Sequence, residues 1–282
     1  MTGTNDIERI DAVPETERGG GARRRAPRGS GRLLTRVGLF ALAVAILVLA
    51  WMIGAAHYPD YILPGPGPVW DSFTSNWDRG VWMSDVEATL GHLFTAYALT
   101  IALGLPIGIL IGRFWVVEDL TRAFLIFLQT VPTVVLIVLA LVFVGTTASA
   151  VVTVTVASCF TYFTLNVIQG TKAIDGELVE MARTYEANEV TIMRSIIVPS
   201  VVPYFLAGAR ITLGVAWQVT LFGEYLMGIH GIGFQISGAI GLLNTPDIYM
   251  WGLSVVLLTI AFEYGFFRPL EWLLTRNARR AT

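Results

Sequence analysis

The chain has 282 residues, of which 54% are hydrophobic and only 14% are charged, with a formal net charge of −2. This composition, with a mean hydropathy of +0.64, is typical of a multi-span membrane protein and excludes an ordinary soluble domain. The single cysteine, Cys159, excludes an internal disulfide framework.

Residues 1–32 are polar, rich in Gly and Arg and without apolar periodicity, and they predict a disordered basic tail on the cytoplasmic side. Eight of the 19 Lys and Arg residues lie before residue 37. A basic segment of this kind can bind nucleic acid, but this one directly precedes an apolar stretch. Membrane orientation therefore explains it better, and we expect no nucleic-acid partner.

Residues 33–282 are predicted to form one transmembrane domain. The uncharged stretch from Val37 to Ala56 is long enough to cross a bilayer and predicts the first span. A cleaved signal peptide is disfavoured, because the polar head is too long and the apolar run has full span length. The proline-rich, mostly acidic segment that follows is predicted to lie outside, with a short interfacial helix from Val69 to Trp77.

The second span is predicted from Leu90 to Ile111. Gly104, Gly108 and Gly112 are spaced by four, which favours close packing against a neighbouring helix. A short inner loop with four charged residues is expected to follow, from Arg113 to Arg122.

No charge occurs between Arg122 and Lys172, which is room for a third and a fourth span around an outer turn at residues 145–149. A few polar or irregular positions in these spans are candidates for lining a pathway. The alternative is that they form interhelical hydrogen bonds or a proline kink. These pathway candidates are Gln129, Pro132, Tyr162 and Asn166.

A segment rich in charge follows at residues 171–199, which we call the charged loop. Its carboxylates and guanidinium groups exclude a span, and its spacing predicts a short helix, a turn and a second short helix that ends at Pro199. Asn188 suits either a left-handed turn or a helix cap. The polar face holds Glu177 and Glu180. The apolar face, which we expect to lie against the membrane side, holds Leu178, Met181, Ala182 and Tyr185.

The charged loop resembles the EAA loop of binding-protein-dependent ABC importer permeases of type I. Glu180-Met181-Ala182, followed by Ile196, Val198 and Pro199, has the family spacing, and Glu180 to Thr184 is most similar to the nitrate/sulfonate/taurine branch. The resemblance extends more weakly from about Tyr61 to Arg280. It implies that the loop couples to an ATPase through Glu177, Glu180, Met181, Ala182, Arg183, Tyr185 and Pro199.

One position departs from the family pattern, because Glu186 stands where the family has glycine. Glycine permits a turn with positive φ at little cost. Either Asn188 makes that turn instead, or the loop has a different shape.

The fifth span is predicted from Val201 to Leu226. The glycine-rich segment from Gly223 to Asp247 predicts a folded-back outer loop that dips into the membrane, where similar permeases have a gate-forming segment. The sixth span is predicted from Tyr249 to Leu274. Intramembrane charges are functional candidates, and three lie here. Arg210 is predicted to meet an anionic solute or to pair with Glu263 or Glu224, and Arg210 and Glu224 are added to the pathway candidates.

Six spans with both termini in the cytoplasm place 17 of the 19 basic residues on the inner side, as the positive-inside rule requires. The charged loop then lies in the cytoplasm. The expected fold is an all-α membrane protein, a five-helix core resembling type I importers plus an extra first helix.

The sequence has no phosphate-binding G-x-x-x-x-G-K-[ST] motif, so no cofactor is expected and ATP must be bound by a separate subunit. The three histidines are far apart and predict no metal site. We therefore expect a transporter subunit and not an enzyme.

The resemblance implies cytoplasmic ABC ATPase subunits, an external solute-binding protein, a second permease copy and the lipid of a bacterial plasma membrane. In this branch the external protein does most of the selecting among small anions. The rival hypotheses are an ion-coupled secondary transporter, which favours repeated halves and ionisable residues near the midplane, and a non-transporting membrane scaffold.

Overall fold

The computed structural model describes residues 29–267, in which the chain is helical and without β-strands. Residues 1–50 and 51–282 form two units. The α-helices of the described range are α1 (Gly29–His57), α2 (Pro66–Asp78), α3 (Val81–Arg113), α4 (Trp115–Thr130), α5 (Thr133–Val144), α6 (Ala148–Lys172), α7 (Gly176–Thr184), α8 (Glu189–Ile192), α9 (Val198–Met227), α10 (Ile232–Gly241) and α11 (Thr245–Phe262). Two π-helical turns cover Met193–Ile197 and Glu263–Phe267.

Five helical segments of the described range are long and apolar enough to span a membrane, and the bent pair α4–α5 can supply a sixth. The predicted all-α fold with six spans is therefore confirmed. α1 begins at Gly29, before the predicted end of the tail at residue 32. The rest of the tail, and the predicted end of the sixth span beyond residue 267, lie outside the described residues.

The predicted third span is not one continuous helix. α4 and α5 meet at an angle of 96°, with the break at Val131 and Pro132. Proline has no backbone N–H, and it disfavours the helical conformation in the residue before it, so Val131 is extended with ψ of 122°. The predicted inner loop at residues 113–122 is also corrected. Phe114 alone separates α3 from α4, and the remaining charged residues of that segment lie on α4.

Helices α3, α6 and α9 pack at the centre of the unit formed by residues 51–282. A Cβ atom at Gly104 would lie 2.7 Å from Phe163, one at Gly108 would lie 2.7 Å from Val167, and one at Gly112 would lie 2.6 Å from Thr171. These glycines therefore let the backbone of α3 approach α6 closely, as predicted from their spacing.

Pro199 was predicted to end the second short helix of the charged loop, and this is wrong. The chain is helical without interruption from Glu189 to Met227, through the π-helical turn and into α9. Val198 donates its backbone N–H to Met193 five residues earlier, and Pro199 follows it in the first turn of α9. A proline is tolerated there because the missing N–H falls where the bonding pattern changes from π to α.

Two of the segments between the long helices contain short helices. α2 covers the predicted interfacial helix, and α10 is a short helix of 10 residues in the segment predicted to fold back. Ser72 of α2 donates to the Asp247 carboxylate at the start of α11. The hydroxyl of Thr245 donates to the carbonyl of Tyr61 over 2.9 Å. Both bonds therefore hold the segment that precedes α3 to the start of α11.

Candidate functional site

The charged loop is a compact structure built on the end of α6. The Asp175 carboxylate accepts a hydrogen bond of 2.9 Å from the backbone N–H of Glu177, which caps the start of α7. Val179 and Ala182 of α7 are half-buried against an apolar cluster that contains Phe163 and Ile197. The loop is therefore packed against residues of the spans.

The predicted apolar face of α7 is wrong in three of its four positions. Leu178, Met181 and Tyr185 are exposed, and Tyr185 is 80% exposed. The inward face is centred on Val179 and Ala182 instead. Leu178 and Val179 are adjacent apolar residues, and packing against the apolar cluster turns Val179 inward. Three large apolar side chains consequently point outward beside Glu177 and Glu180, which are exposed as predicted.

The left-handed turn of the loop lies at Glu186, which has φ of +58°. The hypothesis that Asn188 makes this turn is wrong. Asn188 has φ of −71°, and its side chain accepts a hydrogen bond of 2.8 Å from the N–H of Thr191, so it caps α8. Glu186 thus adopts the conformation that the family glycine would adopt without steric cost.

Ion pairs join the loop to the adjoining helix ends. The Glu189 carboxylate accepts from Arg113, at the end of α3, and from Arg183 of α7. Lys172, at the end of α6, pairs with Glu118 of α4. Among the described residues, the ion-pair partner of Arg183 is Glu189, 3.1 Å away.

A groove of about 500 Å³ runs beside α7. Arg113, Lys172 and Arg183 line it together with Glu180. The Glu180 side chain is therefore at the rim of an open surface feature, next to the exposed Met181. The structure brings Glu177, Glu180, Met181, Arg183 and Tyr185 to one outward surface. It leaves Ala182 half-buried beneath and Pro199 exposed on the first turn of α9.

The pathway candidates do not converge on one site. Gln129 and Pro132 are exposed near the break between α4 and α5. Pro132 forms a kink, which was the predicted alternative to lining a pathway. The amide of Asn166 donates to the carbonyl of Tyr162 on the same helix, 2.8 Å away.

Arg210 pairs with Glu263, with 2.9 Å between Nη2 and Oε1, which was one of the predicted alternatives. Both side chains line a cavity of about 260 Å³ together with Trp217 and Gln218.

Glu224 is the most enclosed charged residue of the described chain, with no exposed surface. Its Oε2 accepts from the hydroxyl of Thr89 over 2.8 Å and from the N–H of Gly233 over 3.1 Å, and its Oε1 lies 2.8 Å from Nδ1 of His92. It therefore does not face a cavity in this conformation. The second predicted partner of Arg210 is thus excluded, because Glu224 belongs to another cluster.

Sequence reasoning missed the residues that surround Glu224. Asp85 is 4% exposed and accepts from the N–H of Gly231 and the amide of Gln235, both over 2.7 Å. It was placed in the outer loop, whereas α3 begins at Val81. The sequence did contain a signal for this cluster, because Asp85, Thr89 and His92 are spaced so that they share one face of a helix.

An open cavity of about 540 Å³ lies between the start of α5, the outer part of α9 and α10. None of the described residues that line it is charged. Its polar groups are the side chains of Thr133, Gln218 and Tyr225, and Phe222 stacks on Tyr225 with 6.3 Å between ring centroids. Gly233 and Ile236 of α10 complete the wall. This cavity is the best candidate for the solute pathway within one subunit.

Residues 104–268 match the family of binding-protein-dependent transport system inner membrane components. The chain belongs to this family. A probable ABC transporter permease protein of Brucella melitensis is 30% identical over 82% of this chain and 93% of its own length. The taurine transport system permease protein of Escherichia coli is 24% identical over 70% of this chain and 71% of its own.

The fold is also that of a solved importer. An inward-facing structure of the MetNI methionine ABC transporter covers 73% of this chain and 96% of its own, with a TM-score of 0.56 and 20% identity. The resemblance of the charged loop to importer permeases is thereby confirmed. The chain is a multi-pass membrane permease, the translocation subunit of an ABC importer, and ATP is hydrolysed by a separate subunit in this family. These findings exclude both rival hypotheses.

Proposed function

We propose that the outward surface of the charged loop docks the ATPase subunits and transmits their closure to the spans. The observation that carries this proposal is the exposure of Leu178, Met181 and Tyr185 beside Glu180, on a helix far too short and charged to enter the membrane. Clustered apolar side chains with a charged rim are typical of protein interfaces.

The contacts beneath this surface support transmission of force. Val179 and Ala182 pack on the cluster of α6 and α9 residues, and Glu189 binds both α7 and the end of α3. A displacement of α7 would therefore pull on three spans together, which is what a rigid-body change of access needs.

The remaining parts of the assembly follow from the family and from the charge distribution. We propose a pair of identical permease copies in the lipid of a bacterial plasma membrane, with both termini cytoplasmic. An external binding protein would deliver a small solute, and ATP would bind only to the ATPase. A solute that carries an anionic group is supported by the taurine relative, because taurine has a sulfonate group. Because Arg210 is paired with Glu263, we assign the choice of solute mainly to the binding protein.

The docking surface is tested by Met181→Lys and Glu180→Lys in the permease expressed with its ATPase. We expect both variants to insert normally but to recover less ATPase and to lose most uptake. Met181→Lys places a charge in the apolar centre of the proposed interface, and losing one partner of an interfacial charge pair at Glu180 costs about 2–5 kcal/mol. Leu242→Lys is the matched control. Leu242 is equally apolar and 82% exposed, but it lies at the opposite end of the bundle. Full ATPase recovery and uptake in the α7 variants would refute the docking role.

A further inference from the structure

The amino end of α10 is held by side chains from two other helices. The backbone N–H groups of Gly231, Ile232 and Gly233 donate in turn to Asp85, to Thr89 and to Glu224. Asp85 and Thr89 lie on α3, and Glu224 lies on α9. Three consecutive N–H groups at a helix start have no partner within their own helix, so each one finds its acceptor on a neighbouring span.

The buried carboxylates among these acceptors are in turn stabilised by α10. Asp85 and Glu224 are buried in the membrane domain, where an uncompensated carboxylate is strongly unfavourable. Their compensation comes from the N–H groups and the positive dipole end of α10, from the Gln235 amide and from His92. Moving the amino end of α10 away would take the backbone N–H groups from both carboxylates and the Gln235 amide from Asp85, while Glu224 would keep Thr89 and His92 of α3.

The fit at this contact leaves no room for a side chain. Gly231 has φ of +113°, and a Cβ atom there would lie 2.4 Å from the Glu224 carboxylate. A Cβ atom at Gly233 would lie 2.2 Å from the carbonyl oxygen of Leu221 on α9. The glycines therefore let the backbone of α10 approach the carboxylate directly.

We propose that Asp85, Thr89 and Glu224 are positioning residues that clamp α10 to α3 and α9 throughout the transport cycle. The inference rests on the chain's role in transport and on α10 forming a wall of the pathway cavity. Gly233 and Ile236 face that cavity from α10, and Thr133 and Val134 face it from α5. With α10 fixed, access changes where α5 moves against it, beside the 96° bend between α4 and α5.

The test uses the wild-type complex with its ATPase and binding protein. Hydrogen–deuterium exchange over residues 229–235 is measured at rest and after trapping with ATP and vanadate. A permanent clamp predicts slow exchange of this segment in both states. Fast exchange in either state would mean that the amino end of α10 is released during the cycle, and would overturn the proposal.

Variants at Thr89 supply the second measurement. Thr89→Val removes the hydroxyl that accepts from Ile232 and donates to Glu224, and Thr89→Ser keeps it. We expect about tenfold faster exchange at Ile232 in Thr89→Val, because the N–H of Ile232 loses its buried acceptor, together with less solute carried per ATP hydrolysed. Thr89→Ser should match the wild type.

Thr100→Val is the matched control, because Thr100 is equally buried on α3 but donates only to Ala96 of its own helix. Equal exchange and equal coupling in Thr89→Val and Thr100→Val would refute the clamp. If Thr89→Val does not assemble, the hydrogen–deuterium exchange of the wild-type complex alone tests the proposal. Failure of ATPase docking is distinguishable, since it appears as lost complex recovery with exchange at residues 229–235 unchanged.

Discussion

Arg210 of α9 and Glu263, directly after α11, form an ion pair with 2.9 Å between Nη2 and Oε1. The two residues are 53 positions apart and tie the fifth span to the last one. Both side chains are about half exposed in the subunit. The guanidinium group was a candidate for meeting an anionic solute, and its pairing with Glu263 makes a structural tie the better explanation.

Exchanging the two charges separates these roles. Arg210→Glu alone should lower the thermal stability of the purified complex, because it replaces an ion pair within the spans by two facing carboxylates. Arg210→Glu with Glu263→Arg should restore both stability and uptake, because the pair is re-formed in reverse. Restored stability with uptake still absent would instead assign Arg210 a direct contact with the solute.

Glu186 holds a backbone conformation that a non-glycine residue adopts at a cost of roughly 1–2 kcal/mol. Glu186→Gly should therefore leave transport intact and raise the unfolding temperature of the complex or leave it unchanged. Glu186→Val should impair both, since β-branched residues are poorly tolerated at positive φ. Thermal unfolding and uptake measured on the two variants check this. Equal behaviour of the valine and glycine variants would show that the turn at residue 186 is not required.

The orientation of the chain is predicted by its basic residues, of which 17 of 19 fall on one side of the six-span arrangement. Reporter fusions after Ser75 and Thr146 should be external, and those after Glu118 and Glu186 internal. Alkaline phosphatase and fluorescent protein fusions measure the two sides independently. An external signal at Glu186 would remove the charged loop from the cytoplasm and with it the proposed docking.

The charged loop shows which structural features a sequence pattern can predict and which it cannot. The charges of residues 177–199 were enough to exclude a span and to predict a short helix and a turn. Which apolar residues face inward was not predictable, because Leu178 and Val179 are neighbours of similar hydrophobicity. The apolar cluster that contains Ile197 lies beneath α7, and this position alone decides that Val179 is half-buried and Leu178 is exposed.

The sequence by itself determined the number of spans and the family resemblance of the charged loop, because run length and motif spacing are local properties of a chain. The tertiary structure decided the partners of the buried charges. Thr89 and Glu224 are 135 positions apart, and Asp85 and Gly231 are 146 apart. A local pattern cannot specify such pairs, since they form only when α3, α9 and α10 pack together and exclude the water that would otherwise solvate each carboxylate.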